Sequence, residues 1–112
     1  VAKALEARAI FTEREENGVL ILRRGFEIKS GEKVLIVEDI LSGTNSIEEN
    51  LNIVLANGGQ AVGTGILVDA SDEEIIFGGL KTEVLLYLNV MANSSIDCPL
   101  CHYEMPISKR IK

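Results

Sequence analysis

The sequence predicts an α/β domain with a mostly parallel sheet, and three consecutive segments carry that prediction. Residues 34–37, Val-Leu-Ile-Val, form a short apolar run typical of a strand that is covered on both faces. A helical stripe follows, with apolar residues at Ile47, Leu51, Val54 and Leu55. Residues 61–68 are a second strand-like run. Strand, helix and strand in this order indicate a β-α-β crossover, in which the two strands are parallel.

Composition and charge limit what the chain can be. Its 112 residues, 46% hydrophobic and 25% charged, suit one globular domain spanning residues 1–112. A net charge of -6 argues against nucleic acid as a partner, because such binding needs clustered Lys and Arg on one face. The sequence has no apolar run of the roughly 18 residues that cross a bilayer, and no secretory signal pattern. We therefore expect no membrane partner and a cytoplasmic location.

Patterns outside the crossover are weaker. Residues 1–8 are helix-like but carry no start signal, so we expect upstream residues to be missing. Residues 9–12 are predicted as a short buried strand. Residues 19–22 and 25–28 are predicted to form a ribbon around Arg23 and Arg24, as a mobile arm.

The helix ends and the later strands have their own signals. Ser46 with Glu49 fits a capping box, and Gly58-Gly59 fits the end of the helix. Further strands are expected at residues 75–77 and 84–88, separated by a turn at Gly78-Gly79, although the second segment is also compatible with a helix.

Two carboxylates and a hydroxyl-rich loop join the first strand to the helix. This segment comprises Glu38, Asp39, Ile40, Leu41, Ser42, Gly43, Thr44, Asn45 and Ser46. Backbone amides at a helix N-terminus converge on an anion and the helix dipole adds favourable potential, so the loop can cradle a phosphate. The carboxylates can accept hydrogen bonds from a sugar diol or lie near a diphosphate-bound Mg²⁺. The alternative is a polar strand end followed by an ordinary turn and cap.

An apolar strand, an acidic pair, two apolar residues and a Ser/Thr- and Gly-containing loop resemble the phosphoribosyl-diphosphate signature of type I phosphoribosyltransferases. Three further segments resemble shorter bacterial orotate phosphoribosyltransferases: Ala-Arg-Ala-Ile-Phe-Thr-Glu-Arg14, Leu-Arg-Arg-Gly-Phe26 and Cys-Pro-Leu-Cys101. The resemblance covers nearly the whole chain. It implies a Rossmann-like core with helices flanking the sheet. The family's N-terminal hood is missing here, so we expect a C-terminal portion that is inactive alone.

The resemblance also implies substrates and roles. Residues 38–46 would bind phosphoribosyl diphosphate, with the loop 42–46 on the 5-phosphate and Glu38 and Asp39 on the ribose hydroxyls. Ser42 would also contact orotate. Mg²⁺ would accompany the diphosphate, with no metal site formed by the protein itself. The products would be orotidine 5'-monophosphate and diphosphate, and the family predicts a homodimer.

Basic residues upstream of the loop complete the predicted site. Arg14 is expected to assist catalysis, and Arg23 and Arg24 are candidates from the arm for neutralising the departing diphosphate. The alternative is that these arginines are solvated loop charges.

Three positions depart from the family pattern. Thr44 stands where the family has Gly, and Glu15-Glu16 follow Arg14 where the family has Lys and often His. Ala70 replaces an Arg that pairs with the orotate carboxylate. Two other functions therefore remain open: a non-catalytic module that senses a nucleotide, and a phosphoribosyltransferase for another base.

Cys98 and Cys101 form a separate motif, followed directly by His102. The haem-attachment spacing is a formal match only, because export and an apolar pocket are not indicated. Zinc binding would lack a fourth ligand unless two pairs met across a dimer. A reversible disulfide and a packed terminal turn are the other interpretations.

Overall fold

The computed structural model describes residues 1–43, 45–71, 77–89 and 96–103. In chain order its elements are β1 (Thr12–Arg14), β2 (Leu20–Leu22), β3 (Lys33–Leu41), α1 (Asn45–Ala56), β4 (Gln60–Asp69), β5 (Thr82–Tyr87) and a 3₁₀ turn (Cys101–Tyr103). Strands β3, β4 and β5 form a parallel sheet in that order, and β1 and β2 form an antiparallel hairpin. Within these ranges, no helix is long and apolar enough to cross a membrane.

The predicted β-α-β crossover is confirmed. β3 and β4 are parallel neighbours, and α1 connects them. The helix begins at Asn45, so Ser46 lies inside its first turn and is not the predicted cap. At the other end Gly58 has a φ of +75°, and its amide donates to the Leu55 carbonyl at 3.0 Å. The amide of Gly59 donates to the Val54 carbonyl at 2.9 Å, which satisfies another carbonyl of the last turn.

The core lies between α1 and one face of the sheet. Ile47, in the first turn of α1, has no exposed surface. It belongs to a buried cluster with Ile36, Leu41, Ile66 and Phe77. Each such side chain contributes roughly 1.5–3 kcal/mol when fully buried. The start of α1 is therefore held firmly against the end of β3.

The opposite face of the sheet is apolar but open. It exposes 40% of Leu35, 46% of Val62 and 80% of Leu85. Residues 1–10 lie over part of it, and a cavity of about 360 Å³ separates them from β3. Parallel sheets are normally covered on both faces. Among the described residues, one face of the sheet is fully covered, by α1 and the segments around it.

The N-terminal region differs from the prediction. Residues 2–6 form turns in place of a helix, and Glu6 has a φ of +52°, which no helix accommodates. A helical pattern this short is not stable on its own, because helix nucleation is unfavourable. Residues 9–11 lie outside any strand, and β1 begins only at Thr12. The Arg8 guanidinium instead bonds Glu32 at 2.7 Å and lowers the pKa of that carboxyl.

The predicted pairing of residues 19–22 with residues 25–28 was wrong. β2 pairs with β1 around residues 15–18, and residues 25–28 are not in a strand. Gly18 has a φ of +84°, and its amide donates to the Glu15 carbonyl at 2.9 Å. The side-chain oxygen of Asn17 accepts a hydrogen bond from the Val19 amide. This turn chemistry closes the hairpin, so Arg23 and Arg24 lie at its base.

The later strand predictions have mixed outcomes. The segment at residues 84–88 is a strand, β5, which starts at Thr82 and pairs in parallel with β4. Gly78 and Gly79 both have positive φ, as expected of the predicted turn. Residues 75 and 76 lie outside the described residues, and Phe77 is buried in the core without belonging to a strand.

A buried hydroxyl provides a test of this packing. Thr64 and Thr82 are cross-strand neighbours, and neither hydroxyl has a hydrogen-bond partner within the described residues. A buried polar group without a partner costs about 1–3 kcal/mol. Thr64→Val keeps the β-branched shape and removes the hydroxyl, so the free energy of unfolding in urea should rise by about 1 kcal/mol.

Thr64→Ser is the matched control. It retains the hydroxyl and loses a methyl group, and it should lower the free energy of unfolding by about 1 kcal/mol. A loss of stability in Thr64→Val would show that the hydroxyl is satisfied in solution.

Candidate active site

The carboxyl ends of the three parallel strands meet at one edge of the sheet. The last residues of β3 and β4, Leu41 and Asp69, are register partners, and Asp69 is also the partner of Tyr87 in β5. The ladder continues past the strands, because the Ala70 amide donates to the Leu41 carbonyl at 2.8 Å. The Leu88 amide donates to the Asp69 carbonyl at the same distance. Ligands of open α/β sheets bind at this kind of edge.

The loop from β3 to α1 lies at this edge and is fixed at both ends. Leu41, before the loop, is 1% exposed, and Ile47, after it, is fully buried. Ser42 and Gly43 between them are exposed. Thr44 lies outside the described residues, and only the backbone of Asn45 is described. Ser42 and Gly43 precede a 12-residue helix, and the N-terminal end of a helix carries positive potential. The loop therefore has the position and polarity to accept a phosphate.

Glu38 and Asp39 lie within β3 and do not follow it, since the strand continues to Leu41. Neighbouring side chains of a strand leave opposite faces of the sheet. Glu38 is the register partner of Ile66, and it lines a cavity of about 270 Å³ together with Phe11 and Asn50. Asp39 is exposed, and its Oδ1 accepts a hydrogen bond from the Ile40 amide at 2.8 Å. The two carboxylates therefore face different sides.

The β1-β2 hairpin is bound to α1 by polar contacts that the sequence did not predict. The Thr12 hydroxyl donates to Asn50 Oδ1 at 2.9 Å, and Asn50 Nδ2 donates to the Ser46 carbonyl at 2.9 Å. Arg14 Nη2 lies 2.8 Å from Glu49 Oε2, and the same guanidinium donates to the Gly18 carbonyl. Arg14 thus joins the hairpin to the first turns of α1. The residue types carry no motif that indicates this docking.

Arg23 and Arg24 lie at the base of the hairpin, after β2. The Arg23 guanidinium lies over the Phe11 ring, 5.1 Å from its centroid, and 3.8 Å from a carboxylate oxygen of Glu13. Arg24 is exposed. Arg14 and Arg23 are therefore engaged with α1 and with the hairpin in this structure, and their predicted contact with diphosphate stays a prediction.

Ala70 occupies the position directly after β4, beside the loop. Its backbone is bonded to Leu41, the residue before Ser42. The preceding Asp69 accepts hydrogen bonds from both the amide and the hydroxyl of Ser71. A methyl side chain at position 70 brings no positive charge to this edge. Any recognition of a carboxylate here must come from other residues.

A metal ion would find few protein ligands. No group of three or more His, Cys, Asp or Glu side chains converges anywhere in the described ranges. Asp39 and Glu38 provide the hard carboxylate oxygens that Mg²⁺ prefers.

Comparison with known proteins relates the fold to a known class. No family model matches the sequence. A solved structure of adenine phosphoribosyltransferase from Rhodothermus marinus matches with a TM-score of 0.54, covering 78% of this chain and 60% of that chain at 18% identity. The fold is thus that of a phosphoribosyltransferase core.

Sequence relatives narrow the class. The orotate phosphoribosyltransferase of Pelotomaculum thermopropionicum is 44% identical over 109 residues, which is 97% of this chain and 56% of the relative. Those of Caldanaerobacter subterraneus and Thermotoga maritima are 42% and 41% identical, over 97% of this chain and 56% and 57% of their own lengths. Over nearly its whole length the chain is thus similar to orotate phosphoribosyltransferases, and it spans about half the length of these curated relatives.

Gly43 allows the structural and binding roles of the loop to be separated. A Cβ added at this glycine would meet no atom within 4 Å. Gly43→Ala should therefore leave the melting temperature unchanged. If the backbone approaches a phosphate here, the methyl group should raise the Kd for magnesium phosphoribosyl diphosphate at least about tenfold, which corresponds to roughly 1.4 kcal/mol in calorimetric titration.

Gly18→Ala is the control for this measurement. Gly18 also has open space around it, but its φ of +84° makes any side chain strained by about 1–2 kcal/mol. This variant should lose stability and keep its affinity. Unchanged affinity in Gly43→Ala would contradict the phosphate assignment.

Proposed function

We propose that this chain is the phosphoribosyl-diphosphate-binding part of an orotate phosphoribosyltransferase. The enzyme would transfer phosphoribose to orotate and release orotidine 5'-monophosphate and diphosphate. The observation that carries the proposal is the exposed loop at Ser42 and Gly43. It is fixed between buried Leu41 and Ile47, directly before a helix, and it follows the exposed Asp39 by three residues. The orotate enzymes named above support the reaction.

In this mechanism the protein binds and orients, and no covalent nucleophile is needed. Amides of residues 42–46 hold the 5-phosphate, and Asp39 accepts hydrogen bonds from the ribose hydroxyls. Glu38 would contribute its charge from the face of the sheet on which the hairpin lies. Magnesium on the diphosphate would neutralise part of its charge. The C1–O bond to diphosphate breaks as a nitrogen of the base bonds to C1, and the acidic residues stabilise the positive charge that develops on the sugar.

The hairpin arginines have a place in this proposal only after a rearrangement. Arg14 is paired with Glu49 at 2.8 Å. To neutralise the departing diphosphate its guanidinium must exchange that carboxylate for the phosphate oxygens, which are equally suited to its planar donors. Arg23 would have to leave Phe11 and Glu13 in the same way, while the exposed Arg24 is free to reorient.

Ala70 is the reason for proposing a second candidate base. Because position 70 borders the loop without a positive charge, a base that lacks a carboxylate fits this edge as well as orotate. A phosphoribosyltransferase for another base is therefore the alternative transferase. A nucleotide-sensing module without catalysis is the non-enzymatic alternative. Ser42 is the residue we assign to orotate contact in the first case.

The family resemblance extends the proposal to assembly and location. We propose a homodimer in the cytoplasm that acts on two small molecules, phosphoribosyl diphosphate and orotate. The chain by itself should bind the first and fail to turn over, since it spans about half the length of its relatives.

A chimera tests the reaction without depending on where the sequence begins. The matching segment of the Thermotoga maritima orotate phosphoribosyltransferase, which is 41% identical, is replaced by this chain. We expect orotidine 5'-monophosphate to form from orotate, phosphoribosyl diphosphate and Mg²⁺. Asp39→Asn in the chimera should abolish product, because an amide in place of the carboxylate no longer stabilises positive charge on the sugar.

The outcomes separate the three functions. Product with orotate eliminates the sensing module. Product with another base, and with orotate only after Ala70→Arg, would establish the alternative transferase. Saturable binding of phosphoribosyl diphosphate without product for any base would favour the sensor. A folded chimera that does not bind phosphoribosyl diphosphate would contradict the site itself.

Variants of Arg14 and Glu49 distinguish a catalytic role of Arg14 from one that only attaches the hairpin to α1. Their side chains are 47% and 37% exposed, so the pair should contribute no more than about 1 kcal/mol to stability. In the active chimera Arg14→Ala should lower kcat by about 100-fold, since it removes a charge that stabilises the leaving group. Glu49→Gln frees Arg14 and should leave kcat close to that of the parent. Equal effects of both variants would show that Arg14 only tethers the hairpin.

A further inference from the structure

Cys98 and Cys101 lie at the two ends of one tight turn, outside the site described above. The Cys101 amide donates to the Cys98 carbonyl at 3.1 Å, and the His102 amide reaches the same carbonyl at 3.4 Å. A turn closed in this way brings its first and fourth Cα atoms to within about 7 Å. Disulfides need a Cα separation of about 4.4–6.8 Å. Pro99 occupies the second position of the turn, where its fixed φ is favoured.

Both sulphurs are reduced and reachable. The two cysteines are free and partly exposed in the structure. The turn holds the Cys101 amide 3.1 Å from the Cys98 carbonyl and so keeps the two side chains close together. Little backbone movement is needed for them to react with each other.

The turn makes the two thiols unequal. Amides of Cys101 and Leu100 donate to the Cys98 sulphur and, with the Cys101 thiol, lower the pKa of Cys98. The pKa of Cys101 is raised, first because its proton is shared with Cys98. In a dithiol site the thiol with the lower pKa attacks a disulfide and the other resolves the mixed intermediate. The order of attack here is therefore Cys98 first and Cys101 second.

We propose that Cys98 and Cys101 form a redox-active dithiol that exchanges with low-molecular-weight disulfides. The Cys98 thiolate attacks one sulphur of the small disulfide, forms a mixed disulfide and releases one thiolate, which takes up a proton. The Cys101 sulphur then attacks Cys98 Sγ, loses its proton and releases the second thiol. The protein is oxidised by two electrons, and one disulfide becomes two thiols. This site is independent of the transferase assignment.

A metal is the less favoured occupant of this turn. Zinc requires about four ligands, and within the described part of the chain no third His, Cys, Asp or Glu converges with the two sulphurs. His102 adjoins Cys101, but its backbone amide is held by the Cys98 carbonyl as part of the turn.

The test is a redox titration of the chain in mixtures of reduced and oxidised glutathione. After rapid alkylation, intact mass spectrometry should show a monomer that is two hydrogens lighter than the reduced, unalkylated chain and carries no alkyl group. Cys101→Ser should accumulate a mixed disulfide with glutathione, because no resolving thiol remains. Cys98→Ser should react several-fold more slowly at neutral pH than Cys101→Ser, and this difference should vanish above the pKa of both thiols.

Other outcomes would overturn the proposal. Equal rates for the two single variants at neutral pH would remove the assigned roles. An oxidised product that is a disulfide-linked dimer would show that the turn does not close on itself. Stoichiometric zinc binding to the reduced chain, with both thiols protected from alkylation, would assign the pair to a metal. Unchanged circular dichroism in both variants confirms that the turn alone has been altered.

Discussion

The parallel pairing of β3 with β4 is the constraint on which the rest of this structure depends. Parallel neighbours cannot be joined by a tight turn, so the chain must return through α1 before β4 can begin. That return places the start of the helix beside the end of β3, and Ile47 fixes it there by complete burial. The loop at Ser42 and Gly43 is consequently short, exposed and supported on both sides. The proposal that this loop binds a phosphate rests on that topology.

The central part of the fold was predictable because its signals are local. A β-branched run, a helical stripe and a second β-rich run lie next to one another in the sequence, and the phosphate loop lies between the first two. The partner predicted for residues 19–22 was wrong, because their apolar pattern is the same whichever neighbouring segment they pair with. The turn at Gly18 determines this pairing. It requires a positive φ, which glycine allows but which the sequence alone does not predict. The direction of Glu38 and Asp39 also escaped prediction, because it depends on β3 continuing to Leu41.

The described residues bury the α1 side of the sheet and leave its other side partly open. Its strands have apolar side chains on both faces, but Leu35, Val62 and Leu85 remain open to solvent. The loop at Ser42 and Gly43 does not depend on that face, because its supports, Leu41 and Ile47, belong to the core on the helix side. The proposed phosphate site is therefore supported independently of whatever covers the open face. The contacts that fix Arg14 to Glu49 likewise belong to the hairpin and the helix, and not to the loop.

The loop at the end of β3 is the central element of the proposed site, and amide chemical-shift mapping tests its role most directly. Magnesium phosphoribosyl diphosphate is titrated into the isotopically labelled chain, and the shift of every assigned amide is followed to saturation. If the loop binds the phosphate, the largest saturable shifts should fall on Ser42, Gly43 and the first turn of α1, with smaller shifts at Asp39. Saturable shifts centred on the open face at Leu35 and Val62, with the loop amides unmoved, would contradict it.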